Sequence, residues 1–203
     1  MSLLRRHPGV RLFLAELRLW RDLHRLVKGC TVVPPGAVPL PAVASLWFLP
    51  GALTVATIIE IIALGILIPW MTARLIVTVI SVYSLALLWA VFGRRRIYPH
   101  YVLAGDLVIR QGCQPLMTVS RERIVQTTVD RTYRSERATV VDEALVLTNG
   151  SGTNLRVVLT EPSPVPAPDR WPWQKARCLE VTEIRLWVDD PVAAVSALTG
   201  EAD

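Results

Sequence analysis

Hydrophobic and polar positions change rhythm three times along the 203-residue chain, and each change predicts a different kind of element. Residues 9–28 repeat at helical spacing. Stepping 100° per residue puts Arg11, Arg18 and Arg25 on one line, with Arg21 and Lys28 beside it. Val10, Phe13, Leu17, Trp20, Leu23 and Val27 cover the other side. Pro8 suits the start of such a helix and Gly29 its stop. Residues 1–30 then read as a basic amphipathic interfacial helix, its apolar face in the acyl boundary and its arginines at phosphates. The competing reading is a helix packed on the protein's own β domain or on a partner subunit.

Residues 31–45 carry four prolines, at positions 34, 35, 39 and 41. Proline fixes φ and has no N–H to donate, so this stretch predicts an extended connector. The longest apolar runs follow. Residues 46–70 are broken chemically only by Glu60, and residues 75–92 by no charge. About 25 residues at 1.5 Å each cover roughly 37 Å, enough to cross a hydrocarbon core of about 30 Å with some tilt. Trp47 and Trp70 bracket the first run and Trp89 lies near the end of the second, where indoles favour the membrane interface. Only Met71, Thr72, Ala73 and Arg74 separate the runs, so residues 46–93 predict an antiparallel transmembrane hairpin.

From Tyr98 the period falls to two. Strands are expected at 101–103, 107–109, 115–119, 124–130, 138–147, 155–160 and 178–188. Asn149-Gly150-Ser151-Gly152 predicts a hairpin turn, since Asn and Gly tolerate positive φ. Residues 161–173 predict a proline-rich loop carrying Trp171 and Trp173. Asp190 and Pro191 predict the cap and first residue of a short terminal helix that Gly200 stops. The expected fold class is therefore an α+β membrane protein: a two-helix hairpin followed, over 94–203, by a small β-rich domain with a terminal helix.

Composition agrees with the local pattern. Hydrophobic residues make up 52 % of the chain, above the roughly 45–50 % usual for soluble domains. The net charge of +5 suggests nucleic acid until it is divided along the chain. Residues 1–45 carry +5, the hairpin is neutral, Arg94, Arg95 and Arg96 add +3, and everything from Ile97 onward is −3. The basic excess flanks the apolar runs. That is a topology and headgroup pattern, and no nucleic-acid partner is expected. Seven Lys/Arg precede the first run and three follow the second, against one in the turn, which predicts both termini in the cytoplasm of a multi-pass inner or plasma membrane protein. The first long apolar run begins too late for a secretory leader. Cys30, Cys113 and Cys178 are odd in number and far apart, so neither a disulfide framework nor a zinc site is expected.

The sequence after the hairpin resembles the pleckstrin-homology-like domains of bacterial membrane proteins. Three arginines lead from a helical hairpin into Tyr101-Val102-Leu103-Ala104-Gly105-Asp106-Leu107-Val108-Ile109-Arg110-Gln111-Gly112, a tyrosine-initiated strand, tight turn and strand ending in glycine. Val119-Ser120-Arg121-Glu122-Arg123-Ile124 looks like the family's lead into the next strand, and the helix after Asp190-Pro191 fits its terminal helix. The resemblance covers about half the chain and implies a binding or assembly module without enzymatic activity. It transfers no ligand residues.

Candidate chemistry is sparse. No G-x-S-x-G, H-E-x-x-H or phosphate-binding glycine loop occurs, so no catalytic residues, cofactor or metal are expected. Glu60 lies mid-run, with Ser81, Tyr83 and Ser84 of the second run at or near its depth; a carboxylate there costs about 2.5–3.5 kcal/mol on insertion scales. It reads either as hydrogen-bonded glue for the hairpin or a hairpin dimer, or as a proton or ion relay. Arg94, Arg95 and Arg96 with Arg11, Arg18 and Arg25 predict a basic collar for anionic lipid headgroups. Trp171 and Trp173 would dip into the interface, dock a partner or cap the β core. The leading expectation is a non-enzymatic membrane-anchored scaffold binding a protein partner, a second copy or anionic lipid. The alternatives are a transporter or channel subunit using Glu60, and a membrane enzyme acting on lipid or peptide.

Overall fold

Helix signals and proline stops shape the first half of the chain. In the computed structural model, residues 8–44, 46–133, 138–150, 152–167 and 177–200 are described, with side chains from residue 13 onward. Helix α1 spans Pro8–Val27, with proline in its first turn, where a missing N–H costs nothing. Gly29 takes φ of +65°, and the Cys30 N–H reaches back to the Arg25 carbonyl at 2.9 Å, closing the helix C-terminus. Helix α2 spans Phe48–Leu67 and helix α3 spans Met71–Ile97. Pro69 pushes Ile68 into extended backbone (φ −96°, ψ 109°) and ends α2. The Arg74 guanidinium donates to the Gly65 carbonyl at 3.1 Å and satisfies that freed helix end. Helix α3 runs on through Arg94, Arg95 and Arg96, beyond the apolar run, because arginine is a good helix former and nothing breaks the helix before Pro99.

The described chain falls into two compact units. One holds α1, α2 and α3; the other holds the chain from Val32 to the end of the connector and everything from Tyr98 onward. The second unit is built on two sheets. The first has the order β1-β2-β3-β4, from β1 (Val38–Leu40), β2 (His100–Leu103), β3 (Asp106–Gln111) and β4 (Gln114–Val119). The second has the order β5-β8-β9-β7-β6, from β5 (Ile124–Thr132), β6 (Thr139–Val141), β7 (Ala144–Leu147), β8 (Thr153–Pro166) and β9 (Cys178–Leu186). Helix α4 covers Pro191–Thr199, from the Asp190 side chain, which accepts the Ala193 N–H at 3.0 Å, to Gly200 at φ +76°. The fold class is α+β, with four α-helices among the described residues.

Four expectations change here. The proline-rich connector contributes a strand: Leu40 is buried, and Pro39 opposite Tyr101 sits on an edge strand where a missing N–H breaks no ladder. The segment expected as one strand over 138–147 is a β6–β7 hairpin turning at Asp142 and Glu143, both at positive φ. An Asp-Glu pair lacks the Asn-Gly signature, so the turn was invisible in the pattern. The chain after Asn149 does not join neighbouring strands; β7 pairs parallel with β9, and β8 pairs antiparallel with the same β9. The first half of the predicted proline-rich loop is strand. Pro162, Pro164 and Pro166 alternate with buried Ser163 and Val165, and among the described residues this stretch pairs with β9 alone.

Leu107 and Ile109 of β3, Leu155 and Val157 of β8, and Ile184 and Leu186 of β9 are fully buried, at strand spacing i, i+2. Ala194 and Leu198 of α4 pack into this core. Two polar clasps lock its rim. The Asp189 carboxylate accepts the Val43 and Ala44 N–H groups at 2.9 Å each, tying down the connector. Buried Asn154 donates to the Val188 carbonyl at 2.6 Å and accepts the Val188 N–H at 2.8 Å. Replacing Asn154 with alanine strands both backbone groups of Val188 without water. The expected loss is about 2–3 kcal/mol, read as a lower unfolding midpoint of the full-length protein followed through its β signal.

Candidate functional site

In the helical unit, α1 lies along α3 rather than standing apart. Asp22 is 2 % exposed and takes the Arg94 guanidinium at 2.8 Å. Six residues earlier on α1, the Glu16 carboxylate accepts from the Tyr83 hydroxyl at 2.5 Å, and the Trp20 ring sits 6.1 Å from the Tyr83 ring. Gly93 makes the close approach possible, because a Cβ there would collide with the Leu26 side chain. Two acids on an otherwise basic helix thus mark its packed face. The signal was present in the sequence as Glu16 and Asp22, the only acidic residues before the hairpin. The apolar edge through Phe13, Leu17, Trp20 and Val27 stays exposed.

The antiparallel pairing of α2 and α3 brings together two of the tryptophans expected at an interface. Trp47 stacks on Trp89 with ring centroids 5.6 Å apart, and the Arg96 guanidinium lies 5.9 Å over the Trp47 ring. The Trp89 indole N–H donates to the Thr54 hydroxyl at 3.0 Å, which donates on to the Pro50 carbonyl at 2.7 Å. Beside this stack opens a groove of about 600 Å³ lined by Leu23, Leu26, Val27, Trp47, Trp89 and Arg96. An apolar trough with a guanidinium at its edge suits an amphiphile with an anionic head. Of the predicted basic collar, Arg94 is committed to Asp22, Arg95 and Arg96 are exposed, Arg18 is exposed and Arg25 is half-buried. The Arg11 side chain, and Trp171 and Trp173, lie outside the described residues. Trp70 is exposed at the opposite end of the hairpin.

The polar residues expected to lie at similar depth in the two apolar runs do not converge. Glu60 is exposed on α2, Ser84 is exposed and Ser81 half-buried on α3, and Tyr83 bonds Glu16 of α1.

The β unit carries a second charged cluster that the sequence did not reveal. Arg156 of β8 stands directly opposite Arg185 of β9, a repulsive pairing. Glu183 lies between them, accepting from Arg156 at 2.7 Å and also from the Arg185 Nε. Burial works to raise the Glu183 carboxyl, but the hydrogen bonds and charge of Arg156 and Arg185 together hold it below the ordinary value of 4.5. The same contact holds the Arg156 guanidinium above its usual range. A pocket of about 310 Å³ adjoins the cluster, lined in part by Thr132, Asp142, Thr153, Glu183 and Arg185. No group of three or more His, Cys, Asp or Glu at ligand spacing occurs among the described residues. Cys30, Cys113 and Cys178 are free and exposed.

The chain matches no protein-family model, no curated protein and no solved structure. Geometry and sequence pattern alone therefore bear on its role.

Two outcomes follow from these ion pairs. Because the Glu183 carboxyl is lowered on folding, its contribution to stability is present above about pH 4.5 and is lost as the pH falls below it. The Glu183→Gln variant should be less stable than the parent at pH 7 and lose less on acidification from pH 5 to 3, measured as unfolding midpoint against pH. Asp22→Ala leaves the Arg94 guanidinium, about one third exposed, without its carboxylate. The cost should be about 1–2 kcal/mol, below the 3–5 kcal/mol of a fully buried pair, seen as a thermal shift of the helical signal.

Proposed function

We propose that this chain is a non-enzymatic membrane-anchored interaction module. In this reading α2 and α3 cross the bilayer as a hairpin, and the β unit stands on the cytoplasmic side, where it meets a protein partner or anionic lipid. One observation carries the proposal. Both helices are long and apolar enough to cross a membrane, yet only 6 % of the apolar window of each is buried inside the protein. A soluble protein buries its apolar core helices, so this surface needs another cover, and hydrocarbon is the one that its length and composition fit.

Charge supplies the orientation. The connecting turn carries Arg74 alone, whereas Arg94, Arg95 and Arg96 close α3 and Arg25 and Lys28 come shortly before α2, which places the open end of the hairpin and the C-terminus inside. The groove beside Trp47, Trp89 and Arg96 supports contact with a lipid whose phosphate lies at Arg96 and whose chain lies along Leu23 and Leu26. Two sheets with a terminal helix are in keeping with the resemblance to bacterial pleckstrin-homology-like domains. The parallel β7–β9 pair has no counterpart among the features that carry that resemblance.

An alkaline carbonate wash of cell membranes tests the anchor, and protease access to a tag after Asp203 tests the orientation. The chain should stay in the pellet, and the tag should be cut only after the cells are opened. Release into the wash, or cleavage of the tag on intact cells, would overturn the proposal.

A further inference from the structure

Glu60 is the single charged residue of α2 and is exposed. It makes no ion pair or side-chain hydrogen bond among the described residues. The stripe of α2 that meets α3 passes through Thr54 and Gly65, which receive Trp89 and Arg74. Stepping 100° per residue, Glu60 lies roughly 120° or more round the axis from that stripe. It therefore faces away from α3, into the space a membrane would fill.

The first helix presents the opposite charge in the same condition. Its packed stripe passes through Glu16, Asp22 and Leu26. Arg18 and Arg21 lie outside that stripe, both exposed and neither with an ion pair or side-chain hydrogen bond among the described residues. The heights can be compared through α3. The contacts Thr54–Trp89 and Gly65–Arg74 set Glu60 level with Ser81 and Val82. The contacts Glu16–Tyr83 and Leu26–Gly93 set Arg18 level with Leu85. The offset is three to four residues, about 5 Å along the axis, within the span of a long guanidinium side chain that carries its charge away from its own Cα.

A carboxylate and a guanidinium, at nearly the same depth on outward faces of one helical unit, complement each other only between molecules. We infer that two copies of this chain associate side by side in the membrane, α1 of one seated on the outward face of α2 of the other, with Arg18 paired to the partner's Glu60. The inference rests on the membrane-anchor reading above. The contact gives each of these two charges a partner near its own depth in the apolar surroundings. It joins different surfaces of the two molecules, so it builds a two-fold dimer that makes the contact twice, a closed ring or an open row.

Disulfide trapping in native membranes tests the contact. The full-length protein would carry Cys30→Ser, Cys113→Ser and Cys178→Ser. Two differently tagged copies, one with Glu60→Cys and one with Arg18→Cys, would be expressed together and mildly oxidised. A mixed-tag disulfide dimer should form, well above the yield with Val79→Cys, an exposed position on α3, in place of Glu60→Cys. A yield equal to that control overturns the pairing. A carbonate wash of the same membranes separates the two claims: release of the chain sinks the anchor reading and this inference with it, whereas retention without cross-linking sinks the pairing alone. Charge exchange gives an independent readout by energy transfer between labelled copies in lipid vesicles. Glu60→Arg or Arg18→Glu alone should weaken association about tenfold. Both together should restore it to within about threefold; a double variant no better than the singles overturns the pairing.

Discussion

Apolar surface that the protein does not cover is the constraint from which the rest of this molecule follows. Helices α2 and α3 touch each other along one stripe, stapled by the Trp89–Thr54 and Arg74–Gly65 hydrogen bonds. Their remaining faces present isoleucine, leucine and valine outward. Burying apolar area is the main favourable term in folding, and here most of that area is not buried by folding. In the proposed function, hydrocarbon covers what folding leaves open. Polar groups in such surroundings must find one another, and α1 shows how. Its two acids meet Arg94 and Tyr83 of α3, while Arg18 and Arg21 stay exposed.

The β unit obeys the opposite economy. Its core is closed by its own strands and by Ala194 and Leu198 of α4, and several of its polar groups pair with one another. Asn154 supplies both hydrogen-bonding groups of Val188, Asp189 holds the connector, and Glu183 quiets two opposed arginines. Joining two units with different requirements in one chain divides the labour in the proposed function: one anchors, and the other is free to present a polar surface.

Much was legible in the pattern because it depends on local or periodic physics. The two apolar runs announce their helices by length and composition, and Pro69 and Pro99 stop them through backbone sterics. The terminal helix is written out as Asp190, Pro191 and Gly200. The turn at Asp142 and Glu143 was not legible, because Asp142 is followed by Glu143, which disfavours positive φ, and not by the glycine of a hairpin signature. Strand character after Thr160 was masked by prolines, whose meaning depends on which edge of the strand has a neighbour.

By itself the sequence determined where the chain is helical, where it alternates as strand, and where its charge gathers, since propensity, period and composition are properties of neighbours along the chain. Tertiary structure alone decided which polar groups meet. That Asp22 takes Arg94, that Glu16 takes Tyr83 while Glu60 faces outward, and that Glu183 bridges Arg156 and Arg185 all follow from helix rotation and strand register. Those are set by packing between segments far apart in sequence, such as Leu26 against Gly93, and no local pattern encodes them.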